Sequence, residues 1–302
     1  MVNISKIRNY FCLIITAFLT LNTNAQGYGK LTGEQYPVIA WYSIDAEHNT
    51  KEQYRRISNA GFNLALTSFL TKEEIKKALH EAKGTGVKLI VDCQESRNAN
   101  LPFINEIKES PALGMYYLCD EPNKDYFETL AERQNRILNS DRIHAGYINL
   151  LPIYANKEQL KAESYSDYLD SFLSKVQVPF LSYDHYPFLR ESFRDDFYTN
   201  LETVAKKCNN AGISFWGFAR SYYSKEYYMI DEGRLRLQVF ANMAYGAQGI
   251  QYFTYSVPKG GERAIVDSSY RKTVLYDVVK KINSEVQVVG KYSKPPIQRK
   301  VG

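Results

Sequence analysis

Two short stretches of this sequence place acids where they can act on a substrate. "YYLCDEPN" (116–123) ends an apolar run with Asp120 and Glu121 side by side, followed by Pro122. "SYDHYPF" (182–188) ends another with Asp184, His185 and Tyr186. Adjacent carboxylates repel, so each raises its neighbour's affinity for a proton, as does partial burial. A carboxylic acid that stays protonated near neutrality is the proton donor of glycoside hydrolysis, and a second carboxylate serves as nucleophile or activates water. The plainer alternatives are a turn carboxylate for Glu121 and a loop or helix-capping acid for Asp184.

Eight short runs rich in β-branched and aromatic residues recur along the chain, at 36–44, 62–68, 87–94, 113–122, 143–152, 178–187, 213–221 and 249–256. Several are apolar on both faces, as buried parallel strands are. Stretches with helical apolar spacing separate them. That at 71–86 opens on Thr71 with Glu74 three residues on, a capping box, and closes in glycines; that at 193–212 ends on Gly212. Eight strand–helix alternations over about 250 residues match a single-domain (β/α)8 barrel, whose functional groups gather at the C-terminal ends of the strands. An open doubly wound sheet is the runner-up, but it would bring a glycine-rich phosphate loop after the first strand, and "YSIDAEHN" has no glycine.

The strand ends supply Asp45 from the first run, Asp92 and Gln94 from the third, Asp120 and Glu121 from the fourth and Asn149 from the fifth. Asp184, His185 and Tyr186 come from the sixth, Arg220 from the seventh and Tyr255 from the eighth. Glu121 and Asp184 are the expected catalytic carboxyls; the others are expected to bind substrate. Trp216 joins them as a sugar platform or belongs to the core. Arg220 holds a site carboxylate or a charged sugar, or serves a structural ion pair. No HExxH or comparable metal spacing and no serine–histidine–acid set is present, and no cofactor is expected. A metal held by Asp184, His185 and a neighbouring acid would make a third class, a metal-dependent hydrolase.

The chain has 302 residues, 44% hydrophobic and 24% charged, with a formal charge of +5 spread along its length. It lacks the clustered basic residues of a nucleic-acid footprint. Tyrosine is abundant, 25 against 15 Phe and 2 Trp, which suits a wet cleft and sugar rings. Residues 1–25 read as a signal peptide: Lys6 and Arg8, an apolar core from Phe11 to Leu21, and small residues before a cut after Ala25. The expected location is therefore secreted or periplasmic, with no transmembrane helix once the signal is removed. The barrel is expected over 26–292, with 293–302 a linker or ragged tail. Cys93, Cys119 and Cys208 remain, an odd number. A Cys93–Cys119 bridge is one reading and buried free thiols the other.

Over residues 36–290 the sequence resembles the clan A glycoside hydrolases, and most of all secreted bacterial barrels related to β-galactosidases and agarases. "GMYYLCDEPN", "SYDHYPF", "FWGFARS" and "RLRLQVFANMAYGAQGIQYFTYS" carry the likeness. In that clan the fourth strand ends in Asn-Glu-Pro with the Glu as acid/base. The resemblance therefore implies that role for Glu121, with Asp120 in place of the asparagine. The clan's nucleophilic Glu on the seventh strand is missing from "ISFWGFARS", the nearest being Glu226 and Glu232. Asp184 is then the second carboxylate by elimination. Two strands apart on the rim, it is expected to stand well away from Glu121, with the wide gap of an inverting enzyme. A non-catalytic glycan-binding barrel is the competing expectation.

Overall fold

The computed structural model describes residues 35–67, 71–225, 227, 230–257 and 261–292. The signal peptide expected at 1–25, the tail 293–302, Ser68 and Glu226 lie outside the described residues. Eight strands form: β1 (Val38–Ala40), β2 (Leu64–Thr67), β3 (Lys88–Val91), β4 (Leu113–Asp120), β5 (Gly146–Leu150), β6 (Phe180–Tyr183), β7 (Ser214–Arg220) and β8 (Ile250–Phe253). Each pairs in parallel with its sequence neighbour, and β8 closes on β1. The (β/α)8 barrel expected from the alternation is the fold.

The helices between them are α1 (Lys51–Asn59), α2 (Lys72–Ala82), the short α3 (Gln94–Arg97), α4 (Leu101–Ile107), α5 (Phe127–Ser140), α6 (Lys157–Leu160), α7 (Tyr165–Lys175), α8 (Phe197–Ala211), α9 (Glu232–Ala244) and α10 (Val274–Gly290). The Thr71–Glu74 capping box opens α2, and Gly212, with φ of 68°, closes α8. The Thr71 hydroxyl accepts the Glu74 amide while the Glu74 carboxylate accepts the Thr71 amide, satisfying two N–H groups that a helix start leaves over.

Successive side chains of a strand point to opposite faces, so the barrel has two apolar layers. Ile39, Leu66, Ile90, Met115, Tyr147, Phe180 and Phe218 fill its interior. Val38, Ala65, Leu89, Leu118, Leu181, Phe215 and Tyr252 face the helices. This parity relocates two expected site residues. Trp216 points inward but sits low, its ring stacked 3.7 Å from that of Phe180, the first residue of β6. Only 3% of it is exposed, so it fills the barrel floor and offers no platform to a sugar. Tyr255 is fully buried in the layer outside the barrel, edge-on to Phe62 at 5.8 Å. Cys93 and Cys119 flank neighbouring strands, yet all three cysteines are free thiols.

One register shift matters for the site. Between Tyr117 and Cys119, β4 slips relative to β5, so Tyr117 faces Tyr147 while Asp120 faces Asn149. Three steps on one strand are matched by two on the other, the signature of a bulge. Without it the inward series would run Met115, Tyr117, Cys119. With it the phase flips and Asp120 turns inward at the barrel mouth.

β7 is held from outside by two amides of α9. Asn242 Nδ2 donates to the Phe218 carbonyl at 3.2 Å, and Gln238 Oε1 accepts the Arg220 amide at 2.9 Å. Gly217, just before the first of these contacts, leaves the room that Asn242 needs: a Cβ there would stand 1.7 Å from Asn242 Oδ1. Replacing Gly217 with alanine is therefore expected to cost about 1–3 kcal/mol, the usual penalty of overpacking. Chemical denaturation reads it, and an unchanged midpoint would contradict the tight α9–β7 seat.

Candidate active site

Three carboxyls meet at the C-terminal mouth of the barrel. Asp120 ends β4, Glu121 follows it, and Asp184 follows β6. Glu121 has φ of 47°, a left-handed conformation that costs a non-glycine residue roughly 1–2 kcal/mol. It is held there by its amide, which donates to the Asn149 carbonyl at 2.8 Å, and by Pro122, whose carbonyl accepts the Tyr168 hydroxyl at 2.6 Å. The turn brings the Glu121 carboxyl close enough to that of Asp184 for each to shift the other's affinity for a proton. The two acids are therefore neighbours and do not stand across the wide gap expected of them: the bulge and the left-handed turn fold Glu121 over the mouth.

Asn149 sits beneath the group. Its Nδ2 donates to Asp120 Oδ1 at 3.0 Å and to Asp184 Oδ1 at 3.2 Å, one proton for each acid. The Tyr186 phenol stands beside Asp184 and favours its charged form.

Burial decides where the protons go. Asp184 is fully enclosed, so desolvation drives its pKa well above the usual carboxylate range; the charges of Glu121 and Asp120 add to this, against Asn149 and Tyr186. Glu121 and Asp120 both reach solvent. Glu121 is also raised by partial burial, while the hydrogen bond with Asp184 pulls it down. Asp120 opens to solvent yet lies deep among protein atoms. Desolvation, with the charges of Glu121 and Asp92, pushes it up to about 6 against Asn149 and Arg97. Two neighbouring carboxyls cannot both be ionised at low cost, so the two acids oppose each other's ionisation, and the more buried Asp184 has its proton affinity raised the more strongly.

The other expected site residues divide around this cluster. Asp92 is buried and engaged by Arg97, with Nε at 2.6 Å and Nη2 at 2.9 Å; the guanidinium lies 5.2 Å over the Tyr117 ring. Gln94 opens α3, exposed on the rim. Asp45 is exposed and paired with His48 Nδ1 at 2.8 Å, and the His48 ring stacks on Tyr270. His185 is buried, its Nε2 on Asp196 at 2.8 Å and its ring against Phe197 and Tyr154. It braces the sixth loop and presents no face to the mouth.

Arg220 ends β7, where the resemblance expected a nucleophilic Glu. It is fully buried, donates to the carbonyls of Tyr222 at 2.7 Å and Phe188 at 3.0 Å, and lies 4.5 Å over the Tyr227 ring. Burial lowers its pKa to about 10, which leaves it charged at neutral pH. Glu232 does not stand in for the missing acid: it opens α9 and pairs with Lys281 at 3.0 Å.

Of the aromatic wall, sequence reading named only Tyr186. Tyr42, with φ of 44°, packs its ring 5.6 Å from Phe253, which Tyr222 meets at 5.5 Å and Tyr186 at 5.6 Å. The Tyr42 phenol is raised by burial and then by the charges of Asp120 and Asp92, so it stands close to the acids. Tyr154 across the mouth is likewise raised by burial and by Asp184, with Arg194 3.9 Å over its ring. The one sequence signal was the tyrosine-rich "RSYYSKEYY" (220–228). Among the described residues, no group of three or more His, Cys, Asp or Glu side chains is arranged to hold a metal ion.

No protein family model matches the chain, and no curated protein matches it. Solved structures do. The GH99 endo-α-mannosidase from Bacteroides thetaiotaomicron in complex with bis-tris-propane superposes with a TM-score of 0.58 at 11% identity, over 85% of this chain and 99% of that one. An endo-1,4-β-mannanase from Rhizomucor miehei gives 0.57 at 11%, over 84% and 95%. The β-galactosidase from the psychrophilic Marinomonas ef1 gives 0.58 at 9%, over 85% of this chain and 60% of the larger enzyme. At such identities the likeness is one of fold: this chain has the (β/α)8 barrel on which those glycoside hydrolases are built.

Proposed function

We propose that the protein is an exported glycoside hydrolase that cleaves O-glycosidic bonds of an oligo- or polysaccharide, acting outside the cytoplasm or in the periplasm. The observation that carries this reading is the buried Asp184 beside the solvent-facing Glu121 at the barrel mouth, its affinity for a proton raised by burial and by that neighbour. Glu121 is the proton donor to the glycosidic oxygen and Asp184 the reserve of that proton. As the bond from the anomeric carbon to the leaving oxygen breaks, its electron pair goes to that oxygen with the proton. Asp120, ionised above about pH 6, stabilises the positive charge on the sugar and takes the proton of the water that adds to it. The half-buried rings of Tyr42, Tyr222 and Phe253 offer stacking surface to sugars.

Glu121→Gln keeps the shape and removes the group that delivers the proton. Turnover of a responsive glycan is expected to fall by about 10²–10⁴, the usual worth of a general acid, with the circular dichroism spectrum unchanged. A second reading, a glycan-binding barrel without catalysis, draws on Arg220 standing where a strand-seven carboxylate would be. Binding without turnover by the wild type across a broad glycan panel would decide for it.

The pH dependence has a definite sign. Activity rises with pH as Asp120 ionises, through about 6, and falls at higher pH as the Asp184–Glu121 pair gives up its proton. Asp184→Asn removes the reserve, so the falling limb moves to lower pH. An unmoved limb in a folded, active variant would refute the shared proton.

Stability gives a check that needs no substrate. A carboxyl raised on folding binds more protons in the native state than in the unfolded one, so its contribution is full below the unfolded value of about 4 and is lost as pH climbs toward the raised native value. Asp184→Asn deletes this slope. The variant's Tm is expected to gain on the wild type between pH 5 and pH 8, and a constant difference would rule out the raised Asp184.

A further inference from the structure

Below the carboxyls, the barrel interior carries polar side chains where a barrel of this kind is ordinarily apolar. Ser182 on β6 and Gln251 on β8 point inward; both are buried, as are Tyr147 and Asn149 on β5. Gln251 Nε2 donates to Ser182 Oγ at 2.8 Å, and the Tyr147 hydroxyl meets Gln251 Oε1 at 2.5 Å and Ser182 Oγ at 2.8 Å. Ser182 Oγ in turn donates to Asn149 Oδ1 at 2.8 Å.

That last bond has a consequence for the acids above. A terminal amide can sit either way round, with its oxygen or its nitrogen toward a given neighbour. A hydroxyl both donates and accepts, so the rest of the network sets the role of Ser182. Gln251 Nε2, which also donates to the Trp216 carbonyl, gives Ser182 a proton, and Tyr147 gives its own to Gln251 Oε1; the Ser182 proton is left for Asn149 Oδ1. This bond from below complements the two above, where the amide nitrogen places one proton on Asp120 and the other on Asp184. Turned over, the amide would set its oxygen against two acids and leave both without a donor.

We propose that Ser182, seated by Tyr147 and Gln251, is a positioning residue of the active site: it fixes the Asn149 amide so that its two N–H groups are shared between Asp120 and Asp184. This rests on the proposed hydrolase only for its purpose; the arrangement is a property of the protein alone. The groups that set proton affinity here come from every wall of the mouth. Glu121, Asp92 and Arg97 act on Asp120. Glu121, Asp120 and Tyr186 act on Asp184, and the phenols of Tyr42, Tyr117 and Tyr154 are themselves raised by these acids after burial. None of them contacts Asn149 from below. Ser182 does.

The test is a ¹³C titration of the side-chain carboxyls in the substrate-free full-length protein. With Ser182→Ala the amide loses its fixed orientation and Asp120 loses a donor that stabilises its charged form. Its proton affinity is expected to rise about tenfold, with Asp184 moving in the same direction. Asn149→Ala should raise both alike, and adding Ser182→Ala to it should change nothing further, since coupled residues are not additive. Should the alanine variant fail to fold, Ser182→Cys keeps the volume with a weak donor and should shift Asp120 part of the way. An Asp120 titration left at the wild-type position in folded Ser182→Ala and Ser182→Cys overturns the proposal, as do additive effects in the double variant. Because no substrate is used, a protein inactive on every glycan leaves this test intact, and an active enzyme with unmoved carboxyls still defeats it.

Discussion

The burial of Asp184 beside Glu121 organises this barrel mouth. A bare carboxylate there would lose most of its hydration, with the Asn149 amide and the Tyr186 phenol in exchange. A raised affinity for the proton lessens both that penalty and the repulsion with Glu121. Everything nearby serves that outcome. Asn149 donates to both flanking acids, Arg97 pairs with Asp92, Arg194 lies over the Tyr154 ring, and Arg220 donates to backbone carbonyls across the barrel.

The backbone of β4 makes the contact possible at some cost. Its bulge switches the inward phase at Asp120, and the next residue adopts a left-handed turn that only a surrounding structure can enforce. The constraints are visible: the ladder bond from Glu121 to Asn149, the proline that follows, and the Tyr168 hydroxyl on the proline carbonyl. Asn149 therefore acts twice, through its carbonyl on the Glu121 backbone and through its amide on the two acids. Strand five fixes where strand four ends.

The eight-fold alternation and the place of Glu121 at the end of the fourth strand were legible in the sequence because they depend on local pattern: apolar runs, caps, and a strand end rich in acid. What could not be read was phase. A one-residue bulge decides whether Asp120 or Cys119 faces inward, and no propensity marks it. Depth along a strand was equally hidden. Trp216 and Arg220 share the inward face of β7, yet one lines the floor beside Phe180 and the other closes the top. Tyr255 follows β8 outward into the helix layer. His185 is adjacent to Asp184, but its ring goes to Asp196. The Ser182–Gln251–Tyr147 post joins residues up to 104 positions apart, a relation that only closure of the barrel creates.

The missing strand-seven carboxylate argues less against catalysis than it first suggests. A site that merely holds sugars needs hydrogen-bond donors and acceptors of fixed character. Asparagine at 184 and glutamine at 121 would supply them with no titration penalty. Instead the chain buries an acid whose raised proton affinity lowers stability at neutral pH, and places it in contact with a second acid open to solvent. Such an arrangement is useful where a proton must be held and then delivered. In the proposed hydrolase, with Arg220 ending strand seven, the negative charge that a developing sugar cation requires falls to Asp120 on strand four. Its pKa near 6 leaves it charged at neutral pH, while the more deeply buried Asp184 has the more strongly raised affinity for a proton. On that proposal the proton donor and the anion come from consecutive residues, separated in character by a bulge, a left-handed turn and one amide.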